Sequence, residues 1–194
     1  MSTGNDFNIT CPEDCVVNPF TAVETIDKDC QPLPSQAEIT DIILGHPEDA
    51  VPPADWTVAG AGGWADVIDN ASAGGIKLKR FLVSGSIGEP ERTAIEMSAF
   101  RKVNGVATYT IEAIFKSIPP LTYDFLRALQ CGVLKPKLWY IDAGGKMYGK
   151  NDGIETSDVS VVFPHELGKD SYSFATLRLS WEAQTDPDRI DSPI

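Results

Sequence analysis

Cys11, Cys15, Cys30 and His46 follow the spacing C-x3-C-x14-C-x15-H. Together they offer the four sulfur and nitrogen donors of a tetrahedral zinc site, with spacing looser than most zinc fingers use. A disulfide such as Cys15–Cys30 would instead staple a poorly packed arm. Free thiols are the default where no export signal precedes them. All three states are open. Cys131 stands at the end of a helical pattern and is expected to fill core space.

Elsewhere the chemistry is sparse. "PHELGK" places His165 beside Glu166, but Lys169 occupies the slot where a helical zinc protease needs its second histidine. His165 is therefore expected in a loop. "KNDGIETSD" carries Asp152, Glu155 and Asp158 but lacks alternating acids before its glycine, which excludes an EF-type calcium loop and leaves a turn. "VSGSIG" does not have the Gly-x-Ser-x-Gly spacing of a hydrolase elbow, and a hairpin explains it better. In "WYIDAGGKMYG", Gly144-Gly145-Lys146 lacks the following Ser/Thr and helix of a phosphate loop. It reads as a hairpin turn whose glycines take positive φ, with Trp139, Tyr140 and Tyr148 as strand packing. No catalytic, metal or cofactor-binding residue is assigned. The expectation is a protein that is not an enzyme and needs no cofactor.

The elements that would position these residues are mostly strands. Residues 1–60 read as an extended acidic arm. In it "SQAEITDIIL" has Ser35 and Glu38 in capping-box spacing and a stop at Gly45, the pattern of one short helix. Trp56 and Trp64 are expected to anchor the following linker onto the body, and "WADVIDN" to make one helical turn. Residues 61–185 form a β-rich domain. "IKLKRFLVSGSI", "RTAIEMSAFRKV" and "VATYTIEAIFKS" suggest a three-stranded meander turning at "GEPE" and at Asn104-Gly105. A three-residue loop from Asn104 to Val106 pairs Ile95 with Phe115, Met97 with Ala113 and Ala99 with Ile111, an apolar match. The first turn pairs Phe81 with Met97 and Val83 with Ile95.

"PPLTYDFLRALQCG" is the best helix, with Thr122 as N-cap, a Leu121–Leu126 staple and Gly132 past its end. Leu121, Phe125, Ala128 and Leu129 would face the sheet. In "SYSFATLRLSWEA" the parity of Tyr172 and Phe174 opposes that of Leu177, Leu179 and Trp181, which calls for a bulge near Ala175-Thr176. Residues 186–194 read as a polar C-terminal tail. The fold class expected is mainly β, an antiparallel sandwich or barrel with one packing helix and an extended N-terminal arm.

At 194 residues, with 42% hydrophobic and 9% aromatic content, the chain can bury a core without staples. No run is long and apolar enough to cross a membrane, and the N-terminus lacks the parts of a signal peptide. The net charge of −12 is uneven: −11 over residues 1–66, +3 over 67–135 and −4 over 136–194. So acidic a chain argues against specific nucleic-acid binding, which draws on phosphate neutralisation. Between copies, an acidic arm and a basic body could attract one another. The alternative is a solvated arm that keeps the chain in solution.

The run "IEMSAFRKVNGVATYTIEAIF", the single helix "LTYDFLRAL" and the closing "LRLSWEAQTDPDRIDSPI" together resemble virion structural proteins of tailed bacteriophages, the tail-tube proteins being nearest. The resemblance spans residues 75–194 and implies a β-sandwich or barrel that forms rings, usually hexameric, stacked through long hairpins into a hollow tube. It implies a homo-oligomer in contact with other virion proteins, passive passage of DNA, and assembly in the host cytoplasm into the virion. Residues 1–60 depart from that family, so their place in an assembly stays open. Two other classes remain: a connector ring or head decoration protein, and a monomeric carbohydrate- or host-binding β-sandwich.

Overall fold

The computed structural model describes residues 38–48, 53, 55–59, 63–68, 78–98, 101–149, 151–164 and 174–194, with residues 65, 93–98 and 101–104 described by their backbone alone. Ser35–Ile194 is one compact unit. Its strands are β1 (Ile39–Gly45), β2 (Leu78–Ile87), β3 (Glu91–Ser98), β4 (Arg101–Phe115) and β5 (Lys137–Asp142). They continue with β6 (Lys146–Tyr148), β7 (Ile154–Glu155), β8 (Asp158–Val162), β9 (Ala175–Ala183) and β10 (Arg189–Asp191). The helices are α1 (Trp64–Val67) and α2 (Pro120–Leu129). The fold is mainly β, as expected, and antiparallel.

All ten strands belong to one sheet in the order β10-β6-β5-β1-β2-β4-β9-β8, with β3 also on β4 and β7 also on β5. The sheet does not close into a barrel. It does curl strongly. From β5 to β9 is four strand spacings, about 19 Å in a flat sheet, yet the rings of Tyr140 and Trp181 are 6.3 Å apart. The halves therefore face each other, and one sheet supplies the two-layered interior of a sandwich. At one side β7 pairs with β5 and β8 with β9, joined only by Thr156 and Ser157. Thr156 donates to the Pro136 carbonyl and the Ser157 amide to the Ser180 carbonyl.

The inner core gathers Ile42 and Leu44 of β1, Leu138 and Tyr140 of β5, alternate residues of β4 and β9, and Leu126 and Leu129 of α2. A second core lies on the other face of β1 and β5, where Ile43, Trp139 and Ile141 meet Trp64, Leu78 and Met147. Trp64 is fully buried, donates its indole N–H to the Trp56 carbonyl and meets Trp139 edge-on, so the expected anchoring by both tryptophans holds. α1 supplies the expected helical turn.

The segment expected to be a short helix in the arm is instead β1, in the middle of the sheet between β2 and β5. Both of its faces are buried, so its apolar residues run continuously instead of alternating. Burying Ile42 and Ile43 completely contributes about 2–3 kcal/mol each, more than a capping box can offer a helix. Asp41, also buried, is held by Arg80 Nε at 2.8 Å and by the Thr40 hydroxyl.

The three-stranded meander does not form either. β3 pairs with β4 through Glu91–Thr108, Ala94–Asn104 and Ser98–Arg101, so Asn104-Gly105 sits within a strand and not at the turn. "GEPE" does not reverse the chain: β2 and β3 follow one another along the same edge of β4, and the Gly88 amide still bonds the Thr110 carbonyl. Ile111, Ala113 and Phe115 are buried, as alternation suggested, but their neighbours are others. Ile111 lies between Ile87 and Leu179, and Ala113 between Gly85 and Leu177. A two-residue period identifies a face and not the strand beside it.

Smaller corrections follow from local packing. α2 starts at Pro120, whose fixed φ suits a first helical position, and not after Thr122. Leu121 is 84% exposed, which rules out the staple, and Ala128 is exposed while Phe125, Leu126 and Leu129 face inward. Cys131 is exposed instead of filling the core. Gly132 takes the left-handed conformation past the helix end. β9 pairs with β4 without a register shift, because Phe174 precedes the strand. The C-terminal residues are not a free tail: β10 pairs with β6, and Ile190 and Ile194 pack on the second core. No helix among the described residues is long and apolar enough to cross a membrane.

Two glycines give a sharp test of this packing. Gly153 has φ 79°, and a Cβ there would lie 2.6 Å from the Trp139 ring. Gly145 has φ 73° but open space around it. In urea denaturation, Gly153→Ala is expected to cost about 2–4 kcal/mol, from backbone strain plus overpacking. Gly145→Ala is expected to cost only about 1 kcal/mol.

Candidate functional site

The turn after β5 positions the first half of a tyrosine-lined cleft. Its three loop residues, 143–145, make the expected hairpin turn, but only Gly145 takes positive φ; Gly144, expected to do the same, does not. Buried Asp142 organises the turn. Its Oδ1 accepts the Lys146 amide at 2.8 Å, and its Oδ2 accepts the Tyr148 hydroxyl at 3.0 Å. This register places Tyr140 directly opposite Tyr148, and the rings stack at 4.7 Å with 6° between their planes. The aromatics of this stretch do pack between strands, and two of them also wall a cleft.

The second half comes from β4 and β9. Tyr109 and Trp181 are opposite in register and stack at 5.3 Å with 7° between planes. Residues 184–189 then run along the mouth. The Tyr109 hydroxyl donates to Asp186 at 2.7 Å and accepts from Arg92 at 3.3 Å, and Arg92 also donates to the Gln184 carbonyl. The Gly149 amide bonds the Asp188 carbonyl, and Lys146 pairs with Asp191, which ties the segment to β6.

Two hollows result. One, about 560 Å³, is lined by Tyr109, Tyr140, Tyr148, Asp186, Asp188 and Arg189, with Ile87, Pro90 and Pro187. The other, about 450 Å³, shares Ile87, Tyr140 and Tyr148 and adds Glu38, Ile39, Gly85, Ser86 and Asp142. Tyr140, only 4% exposed, lines both. Its hydroxyl hydrogen-bonds none of the described residues. The acidity of the cleft shows in its phenols. Burial raises the pKa of Tyr140 most, and Tyr148, Asp186 and Asp142 push it the same way. Tyr109 and Tyr148 are raised too, first by burial and then by hydrogen bonds to Asp186 and Asp142 respectively.

The sequence-derived candidates do not gather here. Cys11, Cys15, Cys30, His165 and Glu166 lie outside the described residues. His46 is half-buried beyond the end of β1 and accepts the Glu48 amide on Nδ1. Asp152, Glu155 and Asp158 are all exposed, and no three potential metal ligands cluster among the described residues. The turn expected at Asn151–Gly153 is present. Sequence reading missed Tyr109, Trp181 and the C-terminal acids as one group. The available signal was Asp142, flanked by two tyrosines at equal distances from the glycine turn.

No protein-family model, curated protein or solved structure matches this chain.

The raised phenols fix a sign. A tyrosine whose folded pKa exceeds its unfolded value of about 10 stabilises the fold fully below pH 10 and progressively less as pH climbs through the folded pKa. Stability measured by denaturant unfolding is therefore expected to fall above pH 10. Tyr140→Phe should flatten that fall, since Phe has no proton to lose; an unchanged alkaline slope would show that Tyr140 is not the group responsible.

Proposed function

We propose that this chain is a structural subunit that assembles with copies of itself. The observation that carries the proposal is the free end of the β3–β4 hairpin. β9 covers β4 only from Ala107 onward, so residues 101–106 pair with β3 alone, among the described residues, over roughly 20 Å. An isolated two-stranded hairpin is marginal in water, and its outer edges offer unpaired backbone groups to another chain. A second copy would supply the missing strand or surface. Exposed apolar side chains on the body, Leu82 at 78%, Leu121 at 84% and Val133 at 88%, support contacts of the same kind.

The resemblance to tail-tube proteins gives this assembly a form: a ring, hexameric in that family, stacking into a tube that conducts DNA within a virion alongside other virion proteins. The acidic chain supports passive passage, since phosphates find little positive charge to hold them. A connector ring or head decoration protein would assemble by the same surfaces. The tyrosine cleft favours a second function, a ligand-binding module, and that function alone has no need of a free-standing hairpin.

The test uses light scattering and negative-stain microscopy on purified full-length protein. Rings or tubes about 100 Å wide are expected, the scale of several ~40 Å domains around a channel. Arg92 and Ala107 face each other across the ladder, so a two-residue Asn-Gly turn can replace residues 93–106 without disturbing the sheet. That variant should keep its far-ultraviolet dichroism and lose assembly. A strictly monomeric full-length protein at high concentration, or a shortened variant that assembles like wild type, would contradict the proposal.

A further inference from the structure

The cleft has features that assembly does not use. Glu38, Asp142, Asp186 and Asp188 line its two hollows against a single lining cation, Arg189. Arg92 reaches it only through the Tyr109 hydroxyl and the Gln184 carbonyl. The oxygens that face inward are mainly acceptors. Tyr109 and Tyr148 have already given their protons to Asp186 and Asp142, and Tyr109 also accepts from Arg92, so what remains on each phenol oxygen is acceptor capacity only. One oxygen of Asp186 takes the Tyr109 proton, and no described residue bonds the other. The Tyr140 hydroxyl, on a side chain more than nine-tenths buried, is without a partner among the described residues and borders both hollows. The Tyr140 ring is buried while its hydroxyl faces the hollows, free to bond whatever enters them.

Three classes of guest can be compared. An anion would meet four carboxylates. A sugar needs an open aromatic face, yet Tyr140 is covered by Tyr148 and Tyr109 by Trp181, each pair nearly parallel. A cation with N–H donors meets carboxylates and phenol oxygens, which favour it. We propose that the cleft binds a small organic cation, a primary ammonium or guanidinium on a short alkyl chain. The nitrogen sits among Tyr140, Asp186 and Asp142, and the alkyl part lies against Ile87 and Pro187. The cleft borders the base of the hairpin, but none of its lining residues lies in the projecting stretch 93–106, so each proposal can fail without the other.

The experiment is isothermal titration calorimetry of full-length protein with n-butylammonium and with n-butylguanidinium. The controls are 1-butanol, which lacks the charge, and methyl glucoside, which tests for a sugar site. Saturable binding of the cations alone is expected, weakening as salt rises. Tyr140→Phe and Asp186→Asn should each weaken it about tenfold, the loss that follows removal of a hydrogen bond to a charged group. Both changes nearly conserve side-chain volume, and Asp186 is exposed, so folding should survive them. Absence of saturable cation binding, equal binding of butanol or the glucoside, or unchanged affinity in both variants would overturn the proposal.

Discussion

Strand β4 has partners on both edges for only part of its length. Near its C-terminal end β2 lies on one side and β9 on the other, and every inward side chain is buried. Toward its N-terminal end only β3 accompanies it among the described residues. A continuous ladder has no intrinsic reason to end where the core ends, so the same fifteen residues serve as the spine of the domain and as the root of a projection. Most other features follow from where this change falls. β9 ends opposite Ala107, and the chain beyond it turns back along the cleft mouth, where Asp186 meets Tyr109 close to the point where the projection leaves the body.

The curl of the sheet is the second constraint, and it is what creates the cleft. Cross-strand aromatic pairs are ordinary devices for stiffening a ladder, worth roughly 0.5–1.5 kcal/mol beyond the area they bury. Here two such pairs, on strands far apart in the sheet order, are brought to within one ring contact. Their hydroxyl ends then converge beside the carboxylates of the hairpin turn and the C-terminal segment. Stability and site chemistry draw on the same side chains. For that reason Tyr140→Phe, which keeps the ring and removes the oxygen, separates the two roles better than truncation would.

What was legible in the sequence was local. The turn at Ala143–Gly145 could be read because its glycines and the flanking apolar residues are neighbours in the chain. The helix around Phe125 and Leu126, the burial of alternate residues in β4 and the anchoring by Trp64 were visible for the same reason. β1 was misread because a strand buried on both faces has no alternation, and the spacing of Ser35 and Glu38 imitates a helix start. The β-branched residues Ile39, Thr40, Ile42 and Ile43 were the signal against a helix. Asn104-Gly105 carried a strong turn signature that strand pairing overrode, since Asn104 pairs with Ala94 inside the β3–β4 ladder. The cleft was out of reach: Tyr109 meets Trp181, and Tyr140 approaches both, only after strand order and curl are settled.

The most direct measurement is hydrogen–deuterium exchange along β4 at two protein concentrations. The backbone amides of residues 109–115 should be protected at both, since they lie within the covered part of the sheet. Those of residues 101–106 should exchange quickly in dilute protein and slow strongly as concentration rises, when a second copy covers the hairpin. Equal protection of both stretches in a dilute monomer would mean that the chain supports the hairpin itself, and would contradict the account.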